Sequence, residues 1–364
     1  MWPRRDLIDL LGIDHPIIQA PMGGESTPML AVAVCNAGGL GGLGCSFMSL
    51  EELRASADEL RSGTKGPFNL NFFAHPEPSE DPDVNAQTRA RVAPFYAELG
   101  LANLPDRGEA PCDTFNEAKL SVLLEIRPTV TSFHFGLPPR DMVKALQDVG
   151  SVILCTATTV AEARMLNDAG VDAIIAQGWE AGGHRGTFET SFEDFGVGTM
   201  ALIPQVVDAV DVPVIAAGGI ADGRGIAAAL ALGASGVQMG TAFLSCPEAN
   251  ISDTYRAALR HARDDDTRLT RAFSGRSARA KNNRYMESMA EHRTSLPDFP
   301  TMYGFSEPLE QASAQRGDTG FQFLLYGQAA ALNCELPAAD LMARLIHDAQ
   351  SVLAVISGSA VHPG

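Results

Sequence analysis

The stretch Asp172-Ala173-Ile174-Ile175-Ala176-Gln177-Gly178-Trp179-Glu180-Ala181-Gly182-Gly183-His184-Arg185-Gly186 holds the junction on which the fold assignment turns. Residues 173–177 form a short apolar run without polar alternation, the pattern of a strand covered on both faces. The second half is glycine-rich. Glycines directly after a strand let the backbone approach a ligand closely. A histidine held among them is a candidate acid–base group, because an unperturbed imidazole titrates at about 6.5. A glycine turn carrying a surface histidine is the plainer alternative.

The same junction recurs along the chain. Apolar runs at 16–20, 39–43, 68–73, 130–134, 152–156, 173–177, 213–217 and 236–239 read as strands. Helical patterns at 28–37, 50–61, 116–125, 140–149, 160–169, 200–210 and 223–232 lie between them. Strands this apolar need cover on both faces, which parallel strands with crossover helices provide. Eight such units predict an α/β fold, a (β/α)8 TIM barrel, rather than an open doubly wound sheet.

Two regions interrupt the rhythm. Residues 75–107 are rich in Pro, Glu, Asp and Asn and read as a long loop with one helix, 86–99, over the barrel mouth. Residues 246–319 carry the charge run Asp264-Asp265-Asp266 and Pro297, Pro300 and Pro308. They read as a small, mainly helical inserted cap domain. The barrel is then expected from residues 1–245 plus 320–364, with helices at 320–332 and 338–356 closing the chain.

Composition narrows the partners. The 364 residues carry a net charge of -17, with 45% hydrophobic and 20% charged residues, as expected of a globular protein with a sizeable core. The acidic balance argues against nucleic acid or an anionic membrane as partner, since both call for a basic footprint. The six cysteines form no C-x-x-C pair, so neither a zinc site nor any other metal site is expected, and free thiols in a reducing cytoplasm are the simpler reading. The N-terminal residues contain no uninterrupted apolar stretch of secretory length. The run 226–244 is broken by Gly233, Gly236, Gln238 and Gly240 and reads as a helix followed by a strand, not a membrane span. A cytoplasmic location is expected.

Ligands of parallel barrels sit at the C-terminal strand ends. The seventh end presents Gly218-Gly219 and the eighth Gln238-Met239-Gly240-Thr241. Phosphate sites recur after these two strands, where bare backbone N–H groups face the anion. With no lysine nearby, neutral donors would hold the phosphate. Asn71, Gln177 and Gln238 stand at three strand ends. Amides both donate and accept, which suits a planar heterocycle such as a flavin. Each could equally be a buried amide satisfied by backbone.

Taken together, these blocks resemble the nitronate monooxygenase family, in particular its class I members. The matching blocks are Gln19-Ala20-Pro21-Met22-Gly23-Gly24 with Ser26-Thr27-Pro28, Asn36-Ala37-Gly38-Gly39-Leu40-Gly41, Asn69-Leu70-Asn71 and His134-Phe135-Gly136. They continue with Gly178 to Gly186, Ala216-Ala217-Gly218-Gly219-Ile220 and Gln238-Met239-Gly240-Thr241. Met29, Cys35 and Leu325-Tyr326-Gly327-Gln328 depart from or only partly match the pattern. The resemblance implies a barrel that binds FMN noncovalently through Met22, Asn71, Gln177, Gly182, Gly218, Gly219, Gln238, Met239, Gly240 and Thr241. It implies that His184 is the active-site histidine. It also implies oxidation of alkyl nitronates, with nitroalkanes as a second candidate substrate, by O2 to a carbonyl compound and nitrite. His134, Phe135 and Phe72 are expected in the substrate pocket, His134 being the rival to His184.

Flavin-dependent enoyl-thioester reductases share the barrel and a similar Gly-Gly-His loop. An NAD(P)H-dependent FMN reductase of enoyl thioesters or quinones is therefore the alternative reading, and a non-catalytic flavin-binding protein the third. The physiological substrate and the oligomeric state stay open.

Overall fold

A computed structural model of the chain describes residues 2–189 and 196–358. Its strands, in chain order, are β1 (Ile17–Gln19), β2 (Gly41–Gly44), β3 (Phe68–Phe73), β4 (Val130–His134), β5 (Val152–Ala157) and β6 (Ala173–Gln177). They continue as β7 (Gly183–His184), β8 (Val214–Ala217), β9 (Gly236–Met239), β10 (Thr267–Thr270) and β11 (Ala278–Lys281). Eight of them are parallel neighbours in the order β1-β9-β8-β6-β5-β4-β3-β2. A parallel bridge between Ile18 and Leu40 closes the ring. There the Gln19 N–H donates to the Leu40 carbonyl at 2.9 Å, and the Leu40 N–H donates to the Ile17 carbonyl at 3.0 Å. The fold is the expected (β/α)8 barrel.

The barrel follows from the period-two geometry of its strands. On β3, Leu70 and Phe72 join the apolar layer under the helices, while Asn71 and Phe73 border the barrel mouth. The helices that cover this layer start on side-chain caps. Thr159 accepts from the Glu162 N–H at 3.1 Å and opens Val160–Ala169. Asp222 accepts from the N–H groups of Arg224 and Gly225 and opens Gly223–Ala231. The terminal helix Ala338–Ile356 packs on Gly223–Ala231 and on Pro28–Asn36, as its apolar face predicts. Among the described residues, no helix is long and apolar enough to cross a membrane.

The insertion differs from the sequence expectation. Residues 246–319 do hold the helices Asp253–Arg260, Arg284–Met289 and Tyr303–Gln315. They also hold β10 and β11, which pair antiparallel with each other; β11 pairs in turn with β7. Neither strand enters the barrel sheet. The insertion is tied to the long segment after β3. Val92 and Tyr96 of helix Pro82–Glu98 share an apolar core with Phe273, Tyr285 and Phe305. Phe321 and Phe323, beyond the boundary drawn at 319, pack in this core as well.

The helix expected at 320–332 does not form, apart from a short 3-10 turn at Ala330–Leu332. Its carbonyls serve the insertion instead. The Lys281 N–H donates to the Leu324 carbonyl at 2.8 Å, and Asn283 Nδ2 donates to the Gln322 carbonyl at 2.8 Å. Phe321, Gln322, Phe323 and Leu324 are all buried, so no solvent-facing stripe remains for a helix. Of the residues assigned to the barrel from the sequence, Met1, 190–195 and 359–364 lie outside the described ones.

Candidate active site

A cavity opens at the C-terminal strand ends, under Tyr255 and Tyr303 of the insertion. One end is lined by Gly218, Gly219, Gly240 and Thr241. Gly218 has φ +100° and Gly219 φ +72°, left-handed values that strongly favour glycine. Gly240 differs: its φ is -104°, and an added Cβ would meet only Ala20 and Met22 at 3.4 and 3.7 Å. Its backbone makes no demand for glycine. Gly182 is required by close packing, since a Cβ there would lie 2.5 Å from the Gly327 nitrogen and the Tyr326 carbonyl carbon. Among the described residues that line the cavity, none is Lys or Arg. Glu180 also borders it, but its carboxylate is occupied by the Thr199 N–H and hydroxyl at 2.9 to 3.0 Å.

The three strand-end amides share this cavity with Met22 but differ in what they have left to offer. Gln177 is spent on its own loop, donating to the His184 carbonyl at 3.0 Å and accepting from the Gly186 N–H at 2.9 Å. Asn71 donates to the Ser132 hydroxyl at 2.9 Å. Gln238 keeps a buried Oε1 that no described residue satisfies. A buried acceptor of this kind costs about 1–3 kcal/mol when unpaired, and here it borders the cavity, where a ligand donor could reach it. Met239 borders the cavity, yet its side chain belongs to the apolar layer outside the barrel.

His184 lies in β7 and lines the cavity. Its ring is enclosed by Phe73, Phe135, Phe299 and Phe323, with centroids 5.5 to 6.3 Å away. Burial pulls its pKa down to about 3, with further lowering from His134 and Arg276. The imidazole is therefore neutral at ordinary pH. His134 is also neutral, pulled down to about 4 chiefly by burial. Its Nε2 lies 3.1 Å from the His184 carbonyl and its Nδ1 3.0 Å from the Thr156 hydroxyl. A carbonyl can only accept, so His134 donates from Nε2 and accepts at Nδ1. Both nitrogens are occupied, Nε2 in holding the His184 loop and Nδ1 on Thr156 of β5, although the ring also borders the cavity.

Two residues expected in the substrate pocket stand elsewhere. Phe72 packs against Phe115 at 5.2 Å in the outer layer, because residues one apart on a strand face opposite sides; Phe73 takes the cavity position. Phe135 does not line the cavity either. It adopts φ +75° and backs the histidine pair, with the Arg276 guanidinium 3.9 Å from its ring centre. A non-glycine residue in this region stores strain, a feature concentrated at functional sites.

The sequence reading also missed lining residues. Glu25 borders the cavity with its carboxyl pushed up to about 7 by burial. Tyr255 donates from its hydroxyl to the Leu325 carbonyl at 2.7 Å. Phe73 was recoverable from period-two alternation with Asn71. Tyr255 and Tyr303 carry no local signal, because the fold of the insertion brings them over the cavity.

Similarity to known proteins agrees with this geometry. The family model described as nitronate monooxygenase matches residues 4–348. The chain belongs to the nitronate monooxygenase family. Nitronate monooxygenase from Pseudomonas aeruginosa is 48% identical over 342 residues, covering 93% of this chain and 97% of that one. A crystal structure of nitroalkane oxidase from Streptomyces ansochromogenes superposes with a TM-score of 0.87 at 39% identity, covering 96% of this chain and 99% of the other. The structure of FabK from Thermotoga maritima gives 0.73 at 30% identity, covering 99% and 100%. As a nitronate monooxygenase family member, the chain is an oxidoreductase.

Proposed function

We propose that the cavity binds FMN and that the chain oxidises alkyl nitronates with O2, releasing a carbonyl compound and nitrite. The observation that carries this reading is a neutral, enclosed His184 sharing a cavity with a glycine-lined end and an unpartnered Gln238 Oε1. The residues present suit such a group. Gly218 and Gly219 offer backbone N–H groups without side chains in the way. Gln238 offers an acceptor to a ring N–H, while Asn71 and Met22 border the same space. Bound FMN would supply the electron acceptor.

The chain's own residues do the rest. His184 is unprotonated and can take the α-proton of a neutral nitroalkane. Once protonated, it balances the negative oxygens of a nitronate. Phe73, Phe135, Phe299 and Phe323 keep water from that imidazole.

Purified protein should be yellow, and acid should release FMN, not FAD, as chromatography of the supernatant would show. Gly219→Val should retain less flavin, since φ +72° disfavours any side chain and its Cβ would sit 3.2 Å from Glu180. A colourless protein that cannot be reconstituted with FMN contradicts the reading.

A further inference from the structure

The backbone around His184 is held by the insertion as well as by the barrel. β11 pairs with β7 in the register Ala278 to His184 and Arg279 to Gly183. The Arg185 N–H donates to the Ser277 carbonyl at 2.8 Å. The same segment reaches the imidazole. Ser274, fully buried, places its Oγ 2.8 Å from His184 Nε2. That Oγ lies 3.1 Å from the Arg276 carbonyl and accepts from the Arg276 N–H at 3.3 Å.

A hydroxyl has one proton and two lone pairs. The Arg276 carbonyl can only accept, so it draws the Ser274 proton. Both lone pairs of Oγ then face donors, the Arg276 N–H on one side and His184 Nε2 on the other. This arrangement requires a proton on Nε2. In a neutral imidazole the other nitrogen is then bare. Among the described residues, no hydrogen bond reaches Nδ1 of His184, whose ring lines the cavity.

We propose that Ser274 is a positioning residue that fixes His184 as the Nε2–H tautomer, leaving Nδ1 as the atom that takes the substrate's proton. The second half of this statement rests on the base role given to His184 above; the tautomer does not. The barrel would thus supply the histidine, and the insertion would select which of its nitrogens is basic. Loss of Ser274 should leave the ring free to exchange tautomers, and a share of the molecules would present N–H where the base is needed.

The test is nitrogen NMR of 15N-histidine-labelled protein as purified, with the His184 signals assigned by their loss in His184→Asn. The expected wild-type spectrum shows a protonated Nε2 and an unprotonated Nδ1 at neutral pH. Ser274→Ala should give averaged shifts, and Ser274→Thr, which keeps a hydroxyl, should restore the wild-type pair. In parallel, Ser274→Ala should lower kcat/KM for nitroethane about 10–100-fold, the usual worth of a partner that fixes a histidine tautomer. Ethyl nitronate, which has no α-proton left to remove, should change by only a few-fold.

A wild-type His184 protonated on Nδ1 overturns the proposal, even if the alanine variant fails to fold. An unchanged tautomer in Ser274→Ala overturns it as well. If the Nε2–H tautomer is found but His184→Asn leaves nitroethane turnover intact, the base reading fails while the positioning role stands.

Discussion

His184→Asn lowers kcat/KM for a neutral nitroalkane by about 10²–10⁴-fold, the usual worth of a general base, and costs much less with the corresponding nitronate. The asymmetry follows from the substrates: the nitroalkane must lose an α-proton, and the nitronate already has. Flavin content should not change, because the phosphate is assigned to backbone N–H groups at Gly218 and Gly219 and not to the imidazole. The pH profile adds a second signature. Burial, His134 and Arg276 hold the His184 pKa at about 3, so wild-type turnover of nitroalkane should show no inflection near 6.5. The stability of the fold carries the matching sign. Both His184 and His134 have folded pKa values below the unfolded value of about 6.5. Their contribution is complete above pH 6.5 and is lost as pH falls through about 4 and then about 3. Steady-state rates with nitroethane and ethyl nitronate between pH 5 and 8 check the claim. Equal losses on both substrates would make His184 an anion-binding group instead.

Glu162→Ala should be the most destabilising single change near the site. The carboxylate is fully buried and accepts from the Thr158 N–H at 2.6 Å, the Thr158 hydroxyl at 2.8 Å and the Phe188 N–H at 2.7 Å. It also accepts from the Thr187 hydroxyl and from the Glu189 N–H at 3.2 Å. It thus ties the N-terminus of helix Val160–Ala169 to the segment that leaves the His184 loop. Each buried donor left without its acceptor costs about 1–3 kcal/mol, and together they should cost roughly 3–5 kcal/mol because such losses do not add fully. Glu162→Gln should recover little, since an amide N–H2 would face donors. Urea unfolding of the variants measures the effect; a loss under about 1 kcal/mol would show that these donors find other partners.

The barrel was legible because its strands are apolar on the face that meets the helices, and that face dominates their composition. Side-chain direction was legible only where parity was applied. Asn71 at a strand end implied Phe73 as its partner on the same face, and counting Phe72 into the pocket ignored that rule. The strands β10 and β11 were invisible for a different reason. Ala278-Arg279-Ala280-Lys281 alternates charge with alanine and has little intrinsic strand signal, and Thr267-Arg268-Leu269-Thr270 is too short and too close to the charge run 264–266 to stand out. They are strands because they pair with each other and with the two residues Gly183 and His184, a contact remote in sequence. Residues 320–332 misled in the opposite direction: an apolar run with helical spacing became an irregular strap because the insertion uses its carbonyls. The histidines divide in the same way. His184 was readable from the glycines around it. The role of His134 as a donor to the His184 carbonyl depended on where that carbonyl lies.

Anaerobic addition of propyl nitronate to the FMN-loaded protein tests the central claim most directly. The absorbance bands of oxidised flavin should fall on mixing with the nitronate, NADH should leave them unchanged on the same timescale, and admitting O2 should restore them with release of nitrite. Rapid bleaching by NADH with no response to the nitronate would contradict the account and assign the cavity to a flavin reductase.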